Sequence, residues 1–340
     1  MIFTAPSSSS TSTDTLAVIG SGSWDTALVK ILTDHGNHVD WYVRKEADIS
    51  HIKTYLQNPN YLKGVKFQPE SITPSRDLNT VISKNKWIIL ALPSAFLEAT
   101  LEQLTFSLDN KIIVSGVKGL LPKTKSLVGD YVKDYFKVPP AQFVVISGPC
   151  HAEEIAINHL SFLTLGCSDI KTATALKSKM STPYLSISIS KDVVGIELAA
   201  ILKNMYALVA GIATGLAYGD NFQSVLLSNS IEEMKAFLNQ RNPTKRNLNS
   251  SVYLGDLIVT AYSEHSRNRR LGELIGKGHT VEKALEKMNM IAEGYYASKN
   301  FAVLKAECSV ETPIMDSLYE ILFKGKSAAK TMQQLVQKLH

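Results

Sequence analysis

The 340-residue chain is predicted to be α/β in its first part, with a doubly wound parallel sheet, and all-α in its C-terminal part. Three observations carry this expectation. Short apolar runs rich in β-branched residues alternate with helical spacings as far as residue 190. Strand signals then stop, and a glycine-rich turn joins the first run to the first helix. Strands alternating with helices build parallel sheets covered on both faces. One hydrophobic core rarely serves this length, so two domains are expected, 15–190 and 191–340, behind a polar tail at 1–14.

Taken in order, residues 6–13 read Pro-Ser-Ser-Ser-Ser-Thr-Ser-Thr, a tract too polar to build a core. Leu16-Ala17-Val18-Ile19 is a buried strand closed by Gly20, and 24–32 has helical spacing with Gly36 placed to end it. Further strands are expected at 39–43, 87–92 (stopped by Pro93), 111–115, 143–146, 161–166 and 184–190. Helical patterns occupy 95–105, 124–136 and 170–180. From Val193 to Gln337 the periodicity is helical, with loops at 242–243, 247–251 and 276–278. Thr312-Pro313 reads as a helix start with Thr as N-cap, and Ser327 is placed to cap the last helix.

Composition excludes several classes. Lys+Arg 36 against Asp+Glu 31 leaves +5, and 45% hydrophobic with 20% charged residues is ordinary for a soluble globular protein. Cys150, Cys167 and Cys308 form no CxxC pair, which argues against a disulfide framework or zinc cluster. His35 and His38 lack the partners of a metal site, so no metal is expected. The opening Met-Ile-Phe-Thr-Ala-Pro has no basic n-region or long apolar stretch, so no secretory signal and a cytoplasmic location are expected. The apolar stretch 195–219 is interrupted by Glu197 and Lys203. Its uncharged part, Asn204 to Gly219, is 16 residues long. That falls short of the roughly 20 residues of a membrane span and reads as a buried helix. The basic cluster 266–270 carries no interleaved aromatics, so no nucleic acid is expected.

Gly20-Ser21-Gly22-Ser23-Trp24-Asp25 lies between the first strand and first helix, where a dinucleotide pyrophosphate sits in a Rossmann-like sheet. Gly20 permits the tight turn, Gly22 lets backbone approach the phosphates, and the helix N-terminus offers N–H groups and a positive dipole end. Asp25 replaces the usual small third residue. It suits the helix dipole but adds bulk and like charge beside a pyrophosphate. A purely structural turn is the competing reading. Arg44 and Lys45 follow the second strand and suit a 2′-phosphate, so NADP stands beside NAD; two solvated cations are the alternative.

Four more segments follow: Lys118-Gly119; Ser147-Gly148-Pro149-Cys150-His151-Ala152-Glu153; Lys203-Asn204; and Gly255-Asp256, with Ser266-Arg267-Asn268-Arg269-Arg270 after it. With the glycine turn before them and Glu293-Gly294 behind, these residues resemble the bacterial-type NAD(P)-dependent glycerol-3-phosphate dehydrogenases, from about Leu16 to the C-terminus. Order and spacing carry the resemblance more than any single motif.

The resemblance implies reversible hydride transfer between a nicotinamide, NAD or NADP, and the C2 of dihydroxyacetone phosphate or glycerol 3-phosphate, supplying phospholipid synthesis. It casts Lys203 as general acid/base and Lys118 as a substrate contact near the nicotinamide. Asn204 and Asp256 fall beside the reacting hydroxyl, Gly148 and Cys150 in a substrate turn, and Ser266, Arg267 and Asn268 in a phosphate clamp. Gly20, Gly22, Ser23, Trp24, Arg44, Lys118, Ala152, Arg267, Ile291 and Glu293 fall at cofactor positions. It also implies a homodimer through the helical domain. Cys150 and Ser251-Val252-Tyr253 depart from the family pattern.

Physical chemistry supports two roles independently. A lysine desolvated among Ala199, Ala200, Ile201, Leu202, Met205 and Tyr206 loses proton affinity and can act as an acid near neutral pH. Snorkelling or pairing with Asp256 is the alternative. The fork of Arg267 suits two phosphate oxygens at once, while Arg269 and Arg270 diverge from it around the helix. Two rival functions stay open: a related two-domain hydroxy-acid or sugar-phosphate dehydrogenase, and a non-catalytic nucleotide sensor if Asp25 impairs the cofactor site.

Overall fold

The computed structural model describes residues 15–288, 291–306 and 308–340; the polar tail expected at 1–14 lies outside the described residues. Eight strands form one sheet: β1 (Leu16–Ile19), β2 (Val39–Tyr42), β3 (Ile72–Ser75), β4 (Trp87–Leu90), β5 (Ile112–Ser115), β6 (Phe143–Ser147), β7 (Ser161–Gly166) and β8 (Leu185–Ser190). Their order is β3-β2-β1-β4-β5-β6-β7-β8. The strand order reverses between β1 and β4, where ligand crevices of doubly wound sheets open.

Between the strands lie α1 (Ser23–Asp34), α2 (Glu46–Tyr55), α3 (Leu78–Lys84), α4 (Ser94–Leu101), α5 (Val128–Phe136), α6 (Ala152–Ala156) and α7 (Ile170–Lys179). After Ser190 the described chain is helical: α8 (Val193–Gly215), α9 (Asp220–Arg241), α10 (Asp256–Tyr262), α11 (Arg267–Gly276), α12 (Val281–Glu286), α13 (Glu293–Ala306), α14 (Pro313–Phe323) and α15 (Ala328–Val336).

Alternation along each strand feeds two cores. Ala17, Ile19, Ile88, Leu90 and Ile113 face one; Leu16, Val18, Trp87, Ile89 and Val114 face the other. The first core continues without a break into the helical half through Ile196, Leu198 and Ile201 of α8. That helix is long and apolar enough to cross a membrane by composition, yet 89% of its most apolar window is buried inside the protein.

Several expectations are corrected. β6 and β7 pair antiparallel, so the sheet is not wholly parallel. β3 was not anticipated because Ile-Thr-Pro-Ser is an edge strand whose proline and polar residues mask the pattern. The short helices α2, α3 and α6 carry too little periodicity to stand out. The helix expected at 124–136 begins only at Val128, after a turn, and that at 95–105 ends at Leu101. Thr312 precedes α14, but its side chain makes no capping bond. Buried Glu233 of α9 does so instead, accepting from Ile314 N at 2.7 Å and Met315 N at 3.2 Å. Ser327 does cap α15.

Glycines bring α8 and α11 into backbone contact. A Cβ on Gly211 would stand 2.0 Å from the Arg269 carbonyl oxygen, and one on Gly272 would stand 2.0 Å from that of Leu208. This crossing fixes where α11 lies on α8. Gly272→Ala is therefore expected to cost about 3 kcal/mol or more, since helix backbone cannot yield as a side chain would. Urea unfolding checks this; an unchanged midpoint would mean that α11 slides freely on α8.

Candidate active site

The glycine turn is held from three sides. Gly20 adopts φ +127°, in the region that favours glycine. Its amide donates to Tyr42 O at 3.2 Å, and its carbonyl accepts from Trp41 Nε1 at 2.6 Å. Asn58 Nδ2 donates to Ser21 O at 3.0 Å and to Thr26 Oγ1 at 2.8 Å. Asn58 had no motif to announce it, because its role depends on a loop folding back across α1.

A cavity of about 980 Å³ follows this turn from Gly20, Gly22 and Ser23 to exposed Arg44 and Lys45. It shares Gly22, Ser23, Asp25 and Ile291 with a smaller cleft of about 240 Å³. Bare glycines, the start of α1 and room along β2 fit a dinucleotide. Asp25 is the exception. Its Oδ2 accepts from Gly22 N at 2.9 Å, and its buried Oδ1 has no partner. Burial pushes its carboxyl up to about 7, against the Gly22 bond, its own amide and the Arg267 charge.

The smaller cleft gathers residues from both halves. Lys203, in the middle of α8, is buried and ion-paired with Asp256. A π-helical turn, Ser251–Gly255, precedes Asp256 and sets it at the start of α10. The departing stretch Ser251-Val252-Tyr253 thus builds that turn, anchored by Tyr253 Oη donating to Asp192. Asp256 Oδ2 also accepts from Ser147 Oγ at 3.0 Å and Gly148 N at 3.1 Å.

Burial is the largest influence on Lys203 and lowers it from 10.5 to about 8; Asp256 resists this, and the Lys118 charge adds to it. Burial works against the charge of Asp256 too, but Lys203, Lys118 and the hydrogen bonds outweigh it and hold the carboxyl below its usual range. Pairing with Asp256, the bland alternative for Lys203, is therefore present. It favours the charged ammonium in the wall of the cleft.

Asn204, Asn268 and Gly294 form a relay across three helices. Asn268 Nδ2 donates to Asn204 Oδ1 at 3.0 Å, and Gly294 N donates to Asn268 Oδ1 at 2.8 Å. Ser266 Oγ caps α11 by accepting from Arg269 N. Arg267, the first residue of α11, lines the cleft, while Arg270 is exposed outside it. Lys118 Nζ lies 5.0 Å from the centre of the Trp24 ring. Glu293 accepts from Ser94 Oγ at 2.8 Å and Ser94 N at 3.3 Å. Burial pushes Glu293 upward against those bonds.

The cleft thus brings together Gly22, Ser23, Trp24, Lys118, Cys150, Ala152, Lys203, Asn204, Asp256, Ser266, Arg267, Asn268, Ile291 and Glu293. Gly20 and Arg44 line the adjoining cavity. Gly148 lines neither; at φ +138° it lies under Phe162 O and orients Asp256. Burial pushes the Cys150 thiol up to about 12, so it stays protonated. Ser94, which reaches the cleft only through Glu293, and Thr260, which lines it, were not anticipated. A serine after the strand-ending Pro93 was the available signal for the first; the second needs the α10 geometry.

A model of the NAD-dependent glycerol-3-phosphate dehydrogenase N-terminus matches residues 15–173, and one of the C-terminus matches 192–333. The chain is 34% identical over 327 residues to a glycerol-3-phosphate dehydrogenase (NAD(P)+) of Exiguobacterium sp., covering 95% of both chains. It is 34% identical over 322 residues to that of Agathobacter rectalis, covering 94% of this chain and 95% of the relative. Its fold is similar to the crystal structure of glycerol-3-phosphate dehydrogenase from Coxiella burnetii, with TM-score 0.88, 26% identity and coverage of 95% and 98%. The two family models together match most of the chain, which belongs to the NAD-dependent glycerol-3-phosphate dehydrogenase family.

Proposed function

We propose that the chain catalyses the reversible NAD(P)H-dependent reduction of dihydroxyacetone phosphate to sn-glycerol 3-phosphate, for glycerophospholipid synthesis. The observation that carries it is the convergence of Lys203, Asp256 and Arg267 in one cleft that opens onto the glycine turn. Gly20, Gly22, Ser23, Trp24, Ala152, Arg44, Ile291 and Glu293 would hold the dinucleotide, which when bound supplies or accepts the hydride.

Lys203 Nζ gives its proton to the C2 oxygen as negative charge develops there, and in the reverse direction takes it back. Asp256 keeps that ammonium charged in a buried site and fixes its position. Lys118 adds positive charge on the same cleft wall. Arg267 holds the substrate phosphate, helped by the N–H groups and dipole at the start of α11. Ser266 and Asn268 shape that clamp, the first as cap and the second through Gly294.

The test is NADH or NADPH oxidation on adding dihydroxyacetone phosphate, with dihydroxyacetone as control. Phosphate-dependent oxidation supports the reading; none with either cofactor rejects it. The pH profile tests Lys203 separately. At saturating NADH, kcat/KM for reduction is expected to fall as pH rises through about 8, because only protonated Lys203 donates. Asp256→Asn should move this break to lower pH by removing the charge that retains the proton. A profile flat well above 8 would argue against Lys203 as the acid. The reading extends, on family resemblance, to a cytoplasmic homodimer joined through the helical half; a monomeric mass in light scattering would reject the dimer.

A further inference from the structure

Asp25 is the residue that departs most from the chemistry of its surroundings. Its Oδ2 accepts from Gly22 N at 2.9 Å, its Oδ1 is buried without a partner, and the side chain is 2% exposed. Oδ1 lies against the first glycine, 1.8 Å from where a Cβ on Gly20 would stand. The residue lines both cavities, at the point where they join. A carboxylate held by backbone N–H over the first turn of a helix is what a bound phosphate looks like to that helix.

We propose that Asp25 is an internal competitor for the pyrophosphate of the dinucleotide, its carboxylate occupying the Gly22 amide and the positive end of α1 until it is protonated or displaced. The proposal rests on the dinucleotide reading above. In the charged form Oδ1 is an acceptor with no donor to meet it. Taking up a proton turns it into a donor, removes the like charge, and weakens the hold of Oδ2 on the Gly22 amide, so that a phosphate oxygen can displace it. Binding is thereby coupled to uptake of one proton by Asp25, and a carboxyl pushed up to about 7 places this exchange near neutral pH.

The surrounding charges do not remove the conflict. Arg267 on α11 favours the carboxylate. Glu153 on α6, which accepts from Ser23 Oγ at 3.0 Å, and Glu293 on α13 add negative charge to the same cleft. Lys118 brings positive charge there, and His151 and His265 are further titratable groups in it. Arg44 and Lys45 line the adjoining cavity beyond β2. β1 and β4 contribute no charged side chain, and Lys30 of α1 is paired with Asp34.

The experiment is NADH binding to the full chain, followed by fluorescence across neutral pH. NADH is used because the 2′-phosphate of NADPH would itself titrate near pH 6. For the wild type, Kd should rise about tenfold between about pH 6 and 8, the dependence of a single group with a value near 7. Calorimetry in buffers of different ionisation heat should show proton uptake on binding. Asp25→Asn, which keeps the shape and the Gly22 contact, should lose both the slope and the uptake, and Asp25→Gly should bind more tightly than wild type above neutral pH.

A flat wild-type profile, or an Asn variant that keeps the slope because His151 or His265 sets it, overturns the competitor while leaving the dehydrogenase reading intact. NADH binding by none of the three proteins at any pH overturns both.

Discussion

Lys203→Ala is expected to lower kcat by about a thousandfold while changing NADH affinity less than about twofold, the loss typical of a removed general acid. The lysine lines the smaller cleft but not the cavity that follows the glycine turn to Arg44. The substitution has a second consequence, because it leaves the Asp256 carboxylate buried without its cation. Breaking such a pair from one side costs about 3–5 kcal/mol of stability. Lost activity could then reflect a loosened fold. The double variant Lys203→Met with Asp256→Asn separates the two effects by removing both charges together. It should recover most of the stability and none of the turnover. Stopped-flow single turnovers and urea unfolding measure these independently, and turnover within tenfold of wild type in either variant removes Lys203 from the chemistry.

The second large effect is expected at Arg267. Arg267→Lys should raise KM for dihydroxyacetone phosphate about tenfold, since an ammonium cannot reproduce two parallel bonds to phosphate, and Arg267→Ala about a hundredfold. Reduction of unphosphorylated dihydroxyacetone serves as the comparison. If Arg267 holds the phosphate, its rate should scarcely change in either variant, because that substrate offers nothing to clamp. Equal losses on both substrates would instead mean that Arg267 supports the start of α11 or the cofactor. Its charge reaches both Asp25 and Glu293, so that outcome has a physical basis.

Family, fold class and most cleft residues were legible in the linear chain because their signals are local. A strand of Leu16-Ala17-Val18-Ile19 ending in Gly20, or a serine beside Arg267 at a helix start, is decided by neighbours a few residues away. Short motifs in a fixed order add up even when each alone is weak. The sequence also marked Asp25 as out of place, since a carboxylate at the third turn position conflicts with a phosphate wherever the chain goes next.

What only the tertiary structure decided are the partnerships between distant residues. Lys203 and Asp256 are 53 positions apart. Nothing local distinguished a lysine that snorkels from one held charged in a buried pair. Thr312 looked like the cap of α14, but Glu233, some 80 residues earlier, takes its amides because α9 packs a buried carboxylate against that helix start. The edge strand β3 exists because β2 offers it an open edge, not because Ile-Thr-Pro-Ser favours extension. Gly148, expected in a substrate turn, donates its amide to Asp256, 108 positions away. Local sequence sets backbone preference and side-chain type over a few residues. Which buried charge meets which partner is fixed by packing two cores at once, where desolvation makes an unpaired group costly and only the folded chain brings the partner within reach.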